Sequence, residues 1–302
     1  MIYTLTLNPS IDYVIDVPDF SEGKINDIVS SHLYAGGKGI NVSRLLNNVG
    51  KKSVALGFAA GVTGKFVIKS LISESIESDF VFSDDDITRI NVKMKSSVET
   101  ECNGKGPAVS KQMIKELYKK ITLLKDGDVL ILSGSIPTSI SFNIYEEIIS
   151  MLSDKKVNIC IDSRKGNVLN CLKYHPYLLK PNIDELGEMF DLNITSRDEC
   201  IYYVRLLQEK GARNILLSLG AEGGILCAEN HEVYYKKAPK GILKNSVGAG
   251  DSMLAGYLAY IIDHPDMYED ALKYAIASGS ATAFGFDIAD QEKIENTLKE
   301  MD

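Results

Sequence analysis

The chain has 302 residues, 45% hydrophobic and 25% charged, the proportions of an ordinary globular protein and not of a disordered, collagenous or coiled-coil chain. That length accommodates two domains, or one large α/β domain carrying an insertion. Lys and Arg number 33 against 41 Asp and Glu, a net charge of −8. Such a surface repels a phosphate backbone, so no nucleic-acid partner is expected and any phosphate site must be built locally.

The five cysteines (Cys102, Cys160, Cys171, Cys200, Cys227) show no CxxC spacing, and the histidines form no HExxH. Neither a disulfide framework nor a structural zinc site is expected. The opening MIYTLTLNPS lacks the basic and apolar regions of a signal peptide, and no apolar run reaches the roughly 20 residues of a membrane span. A soluble, cytoplasmic protein with no membrane partner is the expectation.

Short apolar runs bounded by Gly, Asn or Asp occur at 3–7, 53–59, 129–134, 157–162, 177–182 and 214–220. Continuous hydrophobicity of this kind marks strands buried on both faces of a parallel sheet. Helical patterns lie between them: NVSRLLNNVG ending at Gly50, one from Ser110, one from Ser141, and one from Ser196 to Gly211. In the last, Ser196 and Glu199 are spaced as a capping box and Gly211 stands at the C′ position. The alternation predicts a doubly wound α/β sheet with right-handed crossovers.

Three segments alternate instead. Residues 89–95 (RINVKMK) swap polar and apolar at every position, which predicts a half-exposed antiparallel strand, turned back at Ser96-Ser97 into 98–102. Residues 11–17 alternate similarly and 25–34 more loosely. These pieces predict one small open sheet over the main unit, assembled from about 11–17, 25–35 and 87–103 within a single domain spanning 1–302. One apolar face of such a sheet needs covering, and a second copy of the chain can supply the cover, so a homodimer through this sheet is expected.

Gly248-Ala249-Gly250-Asp251 precedes SMLAGYLAYII, a stretch apolar almost all round that reads as a buried helix beginning near Gly250 or Asp251. The amides of Ala249, Gly250 and Asp251 at its start can hold an anion, with the Asp251 carboxylate beside it to accept a proton. Asp251 as a plain N-cap is the alternative. In KPNIDE, Asn182 and Glu185 share a helical face and can hold a hydrated Mg²⁺, or form only a capping box. Ser218 to Gly223 form a Gly-rich turn after a buried strand, either close to phosphates or a tight hairpin. Gly36-Gly37-Lys38-Gly39-Ile40-Asn41 offers backbone, an ammonium and an amide at a helix start, suited to a polyol or its phosphate, or a simple glycine-rich connection. No P-loop and no GxGxxG after the first strand is present, so the phosphate chemistry is of neither type.

GGKGINVSR, NPSID at 8–12, KPNIDE and SVGAGDSMLAG resemble, in order, the motifs of the ribokinase-like (PfkB) carbohydrate kinases, over Leu7 to about Phe286. NPSID, TRINVK at 88–93 and the 99–107 segment are similar to the sugar-phosphate branch of that family. The resemblance implies a three-layer α/β/α sandwich with a mostly parallel central sheet and a small β-sheet lid. It implies ATP-dependent phosphorylation of fructose 1-phosphate at its 6-hydroxyl, with tagatose 6-phosphate or fructose 6-phosphate as rival acceptors and a non-catalytic sugar-phosphate sensor as a remote alternative. By the same resemblance Asp251 is the base, the amides of Ala249, Gly250 and Asp251 form the anion hole, and Gly248 belongs with them to the catalytic motif. Asp12, Gly37, Lys38, Asn41, Arg89 and Ser135 would bind the sugar phosphate. Ser218, Leu219, Gly220, Ala221, Glu222 and Gly223, with Gly250 and Asp251, would line the ATP site. Asn182 and Glu185 would hold Mg²⁺ through water.

Overall fold

The computed structural model describes residues 1–163 and 165–301. Six strands run parallel in the main sheet: β1 (Ile2–Thr6), β4 (Ser53–Ala60), β9 (Val129–Ser133), β10 (Asn158–Asp162), β11 (Leu178–Leu179) and β12 (Asn214–Ser218). Their order is β12-β11-β10-β9-β1-β4. Antiparallel β13 (Gly224–Cys227) and β14 (Val233–Lys236) extend one edge, and short parallel β5 (Glu77–Ser78) and β6 (Val81–Ser83) flank β4 at the other.

Alternate residues of each central strand supply both hydrophobic layers. Leu130 and Leu132 join Leu117 of α3 (Lys111–Ile121), Ile148 of α4 (Ile144–Met151), Leu186 of α6 (Ile183–Phe190) and Val204 of α7 (Arg197–Glu209). Val129 and Ile131 join Leu45 of α1 (Lys38–Asn48), Leu254 of α8 (Ala249–Asp263), Leu272 of α9 (Tyr268–Ala283) and Ile294 of α10 (Gln291–Lys299). The result is a helix–sheet–helix sandwich, as the continuous apolar runs predict. Among the described residues no helix is long and apolar enough to cross a membrane.

The alternating segments form a separate four-stranded sheet, in the order β3 (Ser30–Gly36), β2 (Ser10–Asp16), β7 (Arg89–Lys95), β8 (Thr100–Asn103). Its apolar residues Ile11 and Ala35 pack with Val67 and Leu71 of α2 (Gly61–Ser73), which fixes it to the main unit.

Four local expectations are corrected. Residues 89–95 pair antiparallel only with β8 and run parallel to β2, with Ser10 opposite Arg89 and Asp16 opposite Lys95. Alternation reveals burial on one face but carries no strand direction. Residues 25–29 lie outside the sheet, since β3 begins at Ser30. The expected strand at 177–182 shrinks to Leu178–Leu179, because Pro181 has no N–H for the ladder and Asn182 already caps α6. The helix expected near Gly250 or Asp251 begins at Ala249, with Gly248 in the left-handed region as its N-cap, φ 80°.

Both halves of the Ser196/Glu199 capping box are present, and Gly211 follows the C-cap of α7 with φ +127°. A Cβ there would lie 2.2 Å from the Leu172 carbonyl oxygen. Gly211→Ala is therefore expected to cost about 1–3 kcal/mol through backbone strain, seen as a lower urea midpoint. An unchanged midpoint would contradict this account of the turn.

Candidate active site

Parallel strands all end at one edge, and the helices that follow them start there. Thr6, Ser133 and Asp162, the last residues of β1, β9 and β10, are register partners in one row. All three are buried. Thr6 Oγ1 and Ser133 Oγ have no hydrogen-bond partner among the described residues. The N-termini of α1 and α8 close over this polar floor.

Asn41, one turn into α1, donates from Nδ2 to Asp251 Oδ2 at 2.8 Å, tying the two helix starts together. Asp251 is 6% exposed. Burial raises its carboxyl to about 6, the neighbouring Asp162 adds to the rise, and Lys38, the Asn41 hydrogen bond and Lys180 oppose it. Lys38 Nζ donates to Asp162 Oδ1 at 2.7 Å and lies 3.7 Å from Glu185 Oε1. Burial works against the Lys38 ammonium, but Asp162, Glu185 and Asp251 outweigh it and hold the pKa above that of an ordinary lysine. Asp162 is likewise penalised by burial, and Lys180 and Lys38 together hold it below the usual carboxylate range.

Asn182 and Glu185 form a full capping box at the start of α6: Asn182 N–H donates to Glu185 Oε2 at 3.0 Å and Glu185 N–H to Asn182 Oδ1 at 2.7 Å. This is the structural alternative of the sequence reading, and it consumes one oxygen of each. Glu185 Oε1 remains, with Lys38 as its neighbour. Among the described residues no three His, Cys, Asp or Glu side chains converge as a direct metal cage. A single carboxylate oxygen suits an ion that keeps its waters and takes its remaining ligands from phosphates, so the set fits a hydrated Mg²⁺.

On the small sheet, Asp12 Oδ1 accepts from Ser10 Oγ at 2.7 Å and Asn91 Nδ2 at 3.0 Å, while Lys93 Nζ lies 3.0 Å from Oδ2. Arg89 Nε donates to the Asn8 carbonyl at 3.1 Å and Nη1 to that of Gly104 at 3.5 Å. Its charge meets no carboxylate in a salt bridge among the described residues. Burial lowers its pKa and Asp12 opposes the shift. Exposed Ser135 accepts from Asn8 Nδ2 at 3.4 Å, which brings it beside Arg89. A cleft of about 530 Å³, lined by Asp12, Tyr34, Asn41, Lys93 and Asn245 among others, separates the small sheet from the helix starts.

Gly37 is the N-cap of α1, and Lys38 its first residue. Ser218 ends β12 and bridges to Asn182, linking the glycine-rich turn to the metal-candidate residues. Beyond it, Gly220–Glu222 form a 3-10 turn of the β12–β13 hairpin, with the Leu219 N–H donating to the Gly223 carbonyl. The hairpin reading of that segment is thus realised, and Gly220, Ala221 and Glu222 are exposed at its tip. Sequence reasoning missed Asp162, Lys180 and Lys93. The first two are charged residues closing buried parallel strands, the place where ligands bind in open α/β sheets, and that position was the available signal.

The pfkB family carbohydrate kinase profile matches residues 5–287. The chain belongs to this family. The kinase is 42% identical over 301 residues to 1-phosphofructokinase of Bacillus subtilis, covering 100% of this chain and 98% of the relative. It is 33% identical over 302 residues to D-tagatose-1-phosphate kinase of Bacillus licheniformis, covering 100% and 98%. The fold of Escherichia coli phosphofructokinase-2 superposes with a TM-score of 0.92 at 23% identity, covering 99% of each chain.

The raised Asp251 pKa has a consequence for stability in this kinase. The folded carboxyl holds its proton to higher pH than the unfolded one, so its charge opposes folding above about pH 6, and that opposition vanishes below about pH 4, where both states are protonated. Asp251→Asn is expected to raise the unfolding midpoint at pH 8 and to lose this advantage at pH 4. A gain of equal size at both pH values would exclude the charge as its source.

Proposed function

We propose that this kinase transfers the γ-phosphoryl group of ATP to the 6-hydroxyl of fructose 1-phosphate. The observation that carries the reading is the buried Asp251 carboxylate at the start of α8, with Oδ2 anchored by Asn41 and Oδ1 without a hydrogen-bond partner among the described residues. Free Oδ1 takes the proton of the attacking hydroxyl. The hydroxyl oxygen bonds to the γ-phosphorus, the bond to the bridging oxygen breaks, and its electron pair leaves on ADP. Amides of Ala249, Gly250 and Asp251 meet the charge on the transferring oxygens. A raised pKa favours proton acceptance while leaving Asp251 ionised near neutral pH.

Asp12 and Asn41, both lining the cleft, bind the sugar hydroxyls, and Arg89 binds the 1-phosphate. Arg89 suits that role because its guanidinium is half-buried and, among the described residues, hydrogen-bonds only to carbonyls, which leaves it able to form a charge-assisted pair. Glu185, with Asn182 beside it, holds the waters of Mg²⁺. That ion, when bound, neutralises charge on the ATP phosphates. The small sheet acts as a lid that excludes water and so limits wasteful ATP hydrolysis. The turn from Ser218 to Gly223 borders the nucleotide.

The test is a coupled ADP-release assay over fructose 1-phosphate, tagatose 1-phosphate, tagatose 6-phosphate and fructose 6-phosphate. Fructose 1-phosphate is expected to give the highest kcat/KM, and its failure to turn over overturns the assignment. Asp251→Asn is expected to lower kcat by about 10²–10⁴-fold. Arg89→Ala is expected to raise KM for the sugar phosphate by about 10–100-fold with the KM for ATP unchanged.

Residues of one sheet face, including exposed Leu33 and Ile90 and half-buried Tyr13, Val92 and Met94, supply the apolar surface for a homodimer through the lid. Sedimentation at micromolar concentration is expected to show a dimer, and Leu33→Glu to yield monomer; a monomeric parent chain refutes it.

A further inference from the structure

Asn41, Arg44 and Asn48 stand three and four residues apart on α1, a spacing that puts them on one face of the helix. Asn41 holds Asp251, as described above. Arg44, its side chain 12% exposed, donates from Nη1 and Nη2 to the two carboxylate oxygens of Asp287, both at 2.8 Å. Its Nε donates to Glu74 Oε2, also at 2.8 Å. Asn48 Nδ2 donates to the Ala289 carbonyl at 3.0 Å. Residues 287–289 belong to the irregular segment between α9 and α10, so α1 grips that segment at two points about one helical turn apart.

The gripped segment lies against the start of α8. Asp287 Oδ1 also accepts from the Ile288 N–H at 2.8 Å. Ile288 is buried, and its Cδ1 is 2.6 Å from where a Cβ on Gly248 would stand. Ala289 N–H donates to Thr282 Oγ1 at 3.1 Å, and Thr282 Oγ1 donates to Ser252 Oγ in the first turn of α8 at 2.8 Å. The start of α8 needs such support. Its N-cap Gly248 has no side chain to cap the helix, and glycine is the least restricted residue in backbone conformation. The amides of Gly250 and Asp251 can serve an anion only while no cap takes them. Their aim is therefore set from outside, by Asn41 at the carboxylate and by Ile288 at the N-cap.

We infer that Arg44 is a positioning residue for phosphoryl transfer: by holding Asp287 it seats Ile288 on Gly248 and keeps the anion-hole turn of α8 in register with α1. This rests on the phosphotransfer reading above. Arg44 exchanges no proton and acts through Asp287 and Ile288. Because α1 also opens with Lys38 and carries Asn41, the groups proposed to bind the sugar and those proposed to hold the transferring phosphoryl are referenced to one helix. A displacement of about 1 Å in such a turn costs about 10²-fold in rate. Glu74, the C-cap of α2, meets the same guanidinium at Nε but has no part in this series of contacts, which makes it the control for a purely structural role.

In Arg44→Met, kcat is expected to fall about 10–100-fold with the KM for each substrate within about threefold of the parent value. Asp287→Ala is expected to behave alike, and the double variant to lose no more than the larger single loss, because both remove one link. Arg44→Lys, which keeps the charge without the bidentate fork, is expected to fall between Arg44→Met and the parent. Glu74→Ala is expected to lower the urea midpoint and leave kcat unchanged. Titration with ADP and aluminium fluoride, a planar mimic of the transferring group, needs no sugar turnover. Arg44→Met is expected to bind that complex more weakly by the factor lost in kcat, with the affinity for ADP alone unchanged. An unchanged kcat, an unchanged affinity for the fluoride complex, or a raised sugar-phosphate KM at parent kcat overturns the assignment. So does a loss of kcat in Glu74→Ala equal to that in Arg44→Met. A parent enzyme inactive on every sugar phosphate counts against the proposed acceptor, and the titration then decides on Arg44. If Arg44→Met does not fold, Asp287→Asn, at an exposed residue, is read in the same way.

Discussion

The strands of a parallel sheet share one direction, so their carboxyl ends lie along a single edge, and the segments that follow must start there. Everything chemical in this molecule depends on that constraint. It sets Thr6, Ser133 and Asp162 side by side at the ends of β1, β9 and β10. It also aims the N-termini of α1 and α8 at the same row. Buried polar strand ends and converging helix dipoles favour an anion without a basic surface, so a chain of net charge −8 does not need one to bind phosphates in the proposed site.

The charges at this edge are arranged as a chain of dependencies. Asn41 fixes one oxygen of Asp251 and leaves the other open. Asp162 carries no solvent exposure and depends on Lys38 and Lys180 for its ionisation. Lys38 in turn faces Glu185, so Lys180, Asp162, Lys38 and the candidate metal ligand Glu185 are connected through three ionic contacts. Removing one member leaves a buried charge without its partner, so substitutions here are expected to couple strongly and not to add.

The small sheet contributes the opposite kind of surface. Its polar face joins Asp12, Asn91 and Lys93 in one network above the cleft, while its apolar face is anchored to α2 at one end only. A sheet attached along one edge can close over a ligand more readily than a strand within the main core, where both faces are packed.

Much of the sandwich was legible in the residues. Unbroken apolar runs specify strands covered on both sides, because such segments have no face to offer to water, and the Ser196 capping box marks the start of α7 through chemistry local to four residues. The glycine–polar motifs at Gly37 and Gly248 marked the starts of α1 and α8 for the same local reason. What pairs with what was decided only by the tertiary structure. The parallel pairing of β2 with β7 joins segments more than 70 residues apart, and alternation is identical for either direction. Asp162 and Lys180 looked like strand ends, and their ionic set forms only with Lys38, which arrives from a distant part of the chain. Local chemistry writes caps, turns and buried strands into the sequence; the meeting of charges across a sheet edge exists only once the sheet has formed.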